Sequence, residues 1–208
     1  MAKTNSPYSA SFTGATMMFE EMNVVVAMLL EDDSPETVKK MKTDVQYLQI
    51  NSTTGRERVV IELVKRFRAV PRDFWERYVT LGEPQRRLAL LFVILKTYRL
   101  LFDFQVDFAI PKYNSVDRTV NRNDVLAAMS EIASRDEFVD SWTQKTRERA
   151  STHYVTTLRQ AGLVDEQSGE LRSPELQDED FVHYIQTGDL WFLQACFLPG
   201  YRIEQIKQ

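Results

Sequence analysis

The chain has 208 residues, 43% of them apolar, with seven Gly, seven Pro and a single cysteine. That apolar share supports a real hydrophobic core and excludes a largely disordered chain, while the scarcity of turn residues favours helices over an all-β fold. The lone Cys196 excludes an internal disulfide framework and cysteine-rich zinc modules, and a net charge of −4 argues against a generic polyanion binder.

A polar lead precedes a helix predicted over residues 14–30, in which Met17, Met18, Val24, Val25, Ala27, Met28 and Leu29 form one broad apolar stripe. Ser34-Pro35 opens a second helix, residues 35–49, with an N-cap serine and Pro at the first helical position. It is expected to bury Val38, Met41, Val45 and Leu48. Asn51-Ser52 breaks it and caps a third helix, residues 53–69. Projected at about 100° per residue, that helix gathers Val59, Val60, Leu63, Val64 and Phe67 on one side. Thr54, Arg58, Glu62 and Lys65 fall on the other, with Arg66 and Arg68 on the flanks. A helix, a short polar break and a helix with hydroxyls at its start and cations outside predict a helix-turn-helix.

Pro71 starts a short aromatic helix bearing Phe74, Trp75 and Tyr78. The longest helix is predicted over residues 84–110, apolar nearly all round from Leu88 to Leu95 and so the strut on which others pack. Residues 111–120 form a polar connector and a candidate domain boundary. Helices are then predicted at 122–133, 136–142 and 143–161, the last capped by Gly162, and residues 163–172 read as two small strands around a Ser-Gly turn. That order predicts a winged helix-turn-helix, with Ala150, Tyr154, Val155, Leu158 and Ala161 inward and Lys145, Arg149, Thr152 and Thr156 outward. Helices at 178–186 and 189–197 finish the series.

Residues 52–99 carry eleven Lys/Arg against five Asp/Glu, and residues 160–208 carry three against nine. A basic middle can present a positive face on an acidic protein, because screening confines each patch to about 8–10 Å. The two outward faces therefore supply the candidate DNA-binding residues: Ser52, Thr53, Thr54, Arg58 and Lys65 in the first unit, Lys145, Arg149, Thr152 and Thr156 in the second. Long cations reach phosphates and base edges, and hydroxyls near a helix start meet phosphate beside free backbone N–H groups. The plainer alternative is two solvated amphipathic helices, their cations paired with Glu57, Glu62 and Glu148.

Catalytic and metal chemistry find little support. His153 and His183 lie on separate elements, Cys196 has no ligand at metal spacing, and neither a phosphate-binding glycine loop nor a Gly-x-Ser-x-Gly elbow occurs. Asp103 and Asp107, four apart, read either as a carboxylate pair or as structural partners, Arg99 being placed to pair with Asp103. Trp75, Tyr98, Phe102, Trp142 and Trp191 are expected in the core. The acidic stretch 175–180 reads as an N-terminal helix charge cluster or as a contact for a basic partner. The apolar runs Met22–Leu30 and Leu88–Leu95 fall short of the ~18–20 residues of a membrane span, and the polar start lacks a secretory core. A non-catalytic, cytoplasmic chain without cofactor, metal or membrane contact is expected.

Several segments resemble the BrxA family of bacteriophage-exclusion (BREX) defence systems. These are Tyr8-Ser9-Ala10-Ser11-Phe12-Thr13-Gly14 with Glu20-Glu21, Leu95-Lys96-Thr97-Tyr98-Arg99-Leu100-Leu101-Phe102-Asp103-Phe104, Leu158-Arg159-Gln160-Ala161-Gly162-Leu163, and Leu198-Pro199. They are packing patterns that span nearly the whole chain and carry no chemical signature. The resemblance implies an all-helical, double-stranded-DNA-binding protein acting beside a DNA methyltransferase, an ATPase and a phosphatase-like protein. The combined expectation is an all-α fold in two parts packed as one globular unit, residues 1–112 with a helix-turn-helix and 113–208 with a winged-helix-like domain. A protein-interaction scaffold of the same system, or an RNA-binding protein of the antitermination kind, is the alternative.

Overall fold

The computed structural model describes residues 5–208; the polar lead over residues 1–4 lies outside them. Helices dominate, as the composition predicts, and strand pairing among the described residues is confined to isolated antiparallel bridges. Contacts divide the described residues into two compact units, Ala10–Tyr98 and Arg99–Gln208, the second joined by residues 5–9. The division falls at Tyr98, upstream of the polar connector at 111–120.

The first unit holds a 3-10 turn at Ser11–Gly14, then α1 (Phe19–Glu31), α2 (Pro35–Thr43), α3 (Val45–Leu48), α4 (Thr53–Phe67), α5 (Arg72–Tyr78) and α6 (Glu83–Thr97). Three boundaries differ from the periodicity, each for a physical reason. Residues 15–18 stay outside α1 because the buried Arg66 guanidinium takes the carbonyls of Ala15, Thr16 and Met17. Met18, in the left-handed region at φ 49°, then turns the chain into the helix. The single helix expected over 35–49 is two, because Asp44 leaves the helical region and caps Gln46 N at 2.9 Å. Asp favours such caps over helix interiors. Val45 is consequently exposed rather than buried.

The third difference is the long helix predicted to residue 110, which stops at Thr97. Leu88–Leu95 is buried throughout, so α6 is the expected strut of its unit. Tyr98, however, is extended (φ −124°, ψ 103°). Its hydroxyl donates to Glu62 Oε2 at 2.7 Å and accepts from Arg66 Nε at 3.1 Å, ties that a continuing helix would forgo.

The second unit comprises α7 (Arg99–Asp103), a π-helical turn (Phe104–Ala109), α8 (Ile110–Tyr113), α9 (Arg122–Ala133), α10 (Glu137–Asp140), α11 (Gln144–Gln160), α12 (Glu179–Gln186), α13 (Trp191–Ala195) and α14 (Gly200–Ile206). The last of these has no counterpart among the predicted elements. Caps set the middle helices: an Asn121/Asp124 capping box opens α9, Asp136 opens α10 and Thr143 opens α11. Gly162, at φ 78°, ends α11 as expected, with Leu163 N bonded back to Leu158 O at 2.9 Å. Bridges Val164↔Leu171 and Thr119↔Glu170 follow, a smaller pairing than two full strands. At the centre, buried Gln105 donates to Ala195 O and accepts from Tyr154 Oη, both at 2.6 Å, joining the π turn to α11 and α13.

Candidate nucleic-acid interface

α4 owes its orientation to two buried arginines. Arg56, 4% exposed, lies in the middle of the apolar stripe and reaches backward. Its Nε donates to Lys42 O at 2.8 Å and its terminal nitrogens to Thr43 O at 3.0 Å and Ile50 O at 2.5 Å. These are the orphan carbonyls at the end of α2 and the carbonyl of the following break, so a cation neutralises the α2 C-terminus and clamps α2 to α4. Arg66, 2% exposed, performs the comparable task on the strand-like segment before α1. The helical projection places Arg66 on a flank, but the structure puts it in the core. The signal for Arg56 was present in the helical projection, where it falls among Val59, Val60, Leu63 and Phe67. A basic residue at such a place must either break the helix packing or find several acceptors.

With those cations turned inward, the outer face of α4 is defined. Ser52, exposed, is committed as N-cap, its Oγ accepting from Gly55 N at 3.2 Å. Thr53 and Thr54 are exposed on the first turn, and Arg58 and Lys65 are exposed beyond them. Thr54, Arg58, Ile61 and Lys65 follow at spacings of four, three and four, one narrow stripe along the helix. Lys65 Nζ rests 4.6 Å from the Tyr98 ring centroid. Among the described residues Arg58 joins no ion pair. Glu62 accepts from Tyr98 and Ser11 rather than from a cation.

α11 repeats the spacing with different residues. Lys145, Arg149 and Thr152 are exposed and Thr156 is half-buried. Neither Lys145 nor Arg149 forms an ion pair among the described residues, and Glu148 accepts from Gln144 Nε2 at 3.1 Å. Arg147 instead braces the short helix before it, bonding Asp140 Oδ1 at 3.0 Å. The expected inward residues Ala150, Tyr154, Val155, Leu158 and Ala161 are all buried. The nine predicted residues thus fall on two faces, one in each unit.

The remaining candidates are structural. Asp103 accepts from Arg99 Nε and from the Tyr8 hydroxyl, both at 2.8 Å, and is 4% exposed. Asp107, in the π turn, is exposed and lies 3.5 Å from Arg135, so each carboxylate has a cation of its own. Desolvation, with the Asp103 bond second, pushes the Tyr8 phenol above its usual range. The acidic stretch is held by Arg172–Glu175 at 2.8 Å and Arg202–Asp178 at 2.6 Å. Trp75 and Tyr98 are core as expected, while Phe102, Trp142 and Trp191 are only half-buried. Cys196 is buried, which raises its thiol pKa and leaves it a packing residue. Among the described residues no group of three His, Cys, Asp or Glu side chains is placed to hold a metal, and no helix is long and apolar enough to cross a membrane.

No curated protein matches the chain. A crystal structure of an uncharacterized protein from Magnetospirillum magneticum shares the fold, with a TM-score of 0.77 over 92% of this chain and 98% of that one, at 16% identity. The BrxA family model matches residues 6–188, and the chain belongs to the BrxA family, associated with BREX phage defence.

Proposed function

We propose that the protein is a non-catalytic, double-stranded-DNA-binding component of a BREX system, with α2–α3–α4 serving as a helix-turn-helix and α4 as its reading helix. One observation carries this: α4 displays hydroxyls on its first turn and, along a single stripe, two exposed cations that join no ion pair among the described residues, while its other arginines are spent on positioning it. Exposed cations and hydroxyls on one helix face are the groups that contact phosphates. The order of α9, α10, α11 and a bridged turn, with Thr119 bridging to Glu170, supports reading the second unit as winged-helix-like with α11 outward. Methylation and host-versus-phage discrimination would then lie with the assembly, which includes a methyltransferase, an ATPase and a phosphatase-like component.

The test is a mobility shift with duplex DNA and matched RNA across a salt series. With Arg58, Lys65, Lys145 and Arg149 each neutralising a phosphate, the slope of log K against log salt is expected at about −3 to −4. Duplex DNA should be retained in preference to RNA. Folded protein that retains no duplex at low salt would reject the proposal and favour a scaffold. That second reading draws support from the excess of acidic residues after Tyr98, twelve Lys/Arg against eighteen Asp/Glu over residues 99–208.

A further inference from the structure

On α4 the apolar side chains Val59, Val60, Leu63, Val64 and Phe67 are buried, yet Ile61 is 52% exposed. It stands inside the stripe, three residues past Arg58 and four before Lys65. A β-branched residue brings no helix-propensity advantage to a solvated face, and its apolar surface stays wet until something covers it. The neighbours indicate what that is. Ile61 is flanked by the Arg58 guanidinium, the Lys65 ammonium, Glu57 and the Thr54 hydroxyl, with no other exposed apolar side chain in the stripe. The partner that complements it is anionic beside Arg58 and Lys65 and apolar at the middle of the stripe. Major-groove DNA has that character: phosphates on either side, and one apolar group on the base edges, the thymine C5-methyl.

We infer that Ile61 is a specificity-determining contact that packs against a thymine methyl in the major groove. This rests on the DNA-binding reading of α4. At about 1.5 Å per residue, Thr54 to Lys65 spans about 16 Å, four to five base-pair steps. Ile61 lies well inside that footprint, so its base is fixed in register by the cations on both sides. The contact needs no hydrogen bond. It tells thymine from cytosine and from uracil by a methyl group alone.

The experiment measures fluorescence anisotropy of the full chain with two A·T-rich duplexes of identical sequence, one containing thymidine and one deoxyuridine throughout. The wild-type protein is expected to prefer the thymidine duplex by about fourfold for each methyl buried. Ile61→Ala should erase the preference while leaving affinity for the deoxyuridine duplex unchanged, and Ile61→Val should retain most of it. Helicity of both variants is followed by circular dichroism; the exposed position makes truncation harmless to the core. Equal wild-type binding to the two duplexes overturns the inference and leaves DNA binding intact, as does an Ile61→Ala variant weakened equally on both. Retention of neither duplex at low salt overturns the DNA-binding reading itself.

Discussion

The two units carry the same outward geometry on different foundations. Thr54, Arg58, Ile61 and Lys65 on α4, and Lys145, Arg149, Thr152 and Thr156 on α11, repeat one spacing. Beneath α4 the core polar groups are cations, Arg56 and Arg66, saturated by backbone carbonyls. Beneath α11 they are neutral, Gln105 with Tyr154. The surroundings differ as well: residues 10–98 hold thirteen Lys/Arg against twelve Asp/Glu, whereas residues 99–208 are strongly acidic. A stripe of cations is therefore not equivalent in the two places. On α4 it stands on a near-neutral unit that also hides two of its positive charges; on α11 it must outweigh the negative field around it.

The largest effect should come from removing a buried guanidinium. Arg66→Met keeps much of the volume but strands the carbonyls of Ala15, Thr16 and Met17 together with the Glu62–Tyr98 pair. A loss of roughly 3–5 kcal/mol is expected, as for breaking a buried charged network. Urea denaturation followed by hydrogen exchange should show the loss within residues 10–98. Gln105→Leu, which removes a neutral hub, should cost less, about 1–3 kcal/mol for the Tyr154 hydroxyl and Ala195 carbonyl left unpaired. If the neutral hub costs as much as the cation, the units do not differ in kind.

Next in size is the contrast in binding. Arg58→Glu with Lys65→Glu should weaken duplex binding about a hundredfold at low salt and make the salt slope shallower by about two. Lys145→Glu with Arg149→Glu should weaken it about tenfold, because the acidic second unit leaves those cations less attraction to lose. Helicity should be unchanged in both, all four side chains being exposed. A reversed order would make α11 the principal reading helix.

Which of these features the sequence revealed depends on how local their causes are. Caps and stripes were legible: Ser34 and Ser52 bond where capping chemistry puts them, and the burial of Leu88–Leu95 follows from its unbroken apolar run. The outward cations on both helices were legible for the same reason. The breaks at Thr16 and Tyr98 were not, because each depends on an arginine or tyrosine bond to a residue distant in sequence, and the break at Asp44, though its cap on Gln46 is local, is masked by apolar spacing that runs on through Val45 and Leu48. Periodicity records how residues share a face of one helix and is blind to a guanidinium that claims another segment's carbonyls. Ile61 escapes for a simpler reason: an apolar residue on the basic side of a helix belongs neither to the apolar periodicity nor to the charge cluster.

Smaller effects probe the end of α11 and the turn beyond it. Gly162→Ala forces a Cβ into the left-handed region at φ 78° and should cost about 1 kcal/mol. The expected signature is a lowered denaturation midpoint with unchanged steepness, and weaker exchange protection in the last turn of α11. An equal substitution cost with no change at α11 would mean that the cap does not hold the helix end.

The smallest effect is electrostatic and lies in the bridged turn. Asp165 accepts from Ser168 N at 2.8 Å, Ser168 Oγ at 3.0 Å and Gln167 N at 3.1 Å. Bonds that favour the charged form, the Ser168 amide first, hold its carboxyl below the ordinary value of 3.8. Because the folded-state pKa is depressed, this support is complete above the ordinary carboxylate range and is lost as pH falls through the lowered midpoint. An NMR titration should place the Asp165 midpoint below 3.8, with the Ser168 amide moving at the same pH; a midpoint at the ordinary value would show that the turn does not hold the charge. Asp165→Asn keeps an acceptor oxygen and removes one negative charge from the turn after α11. If that acidity is what weakens the α11 face, duplex affinity should rise about twofold, the scale of one exposed charge, and the rise should vanish when Lys145 and Arg149 are already reversed. A rise that survives their reversal would mean that the turn acts on DNA without α11. No rise at all would place the turn away from bound DNA and trace the weaker face to the acidic helices that follow it.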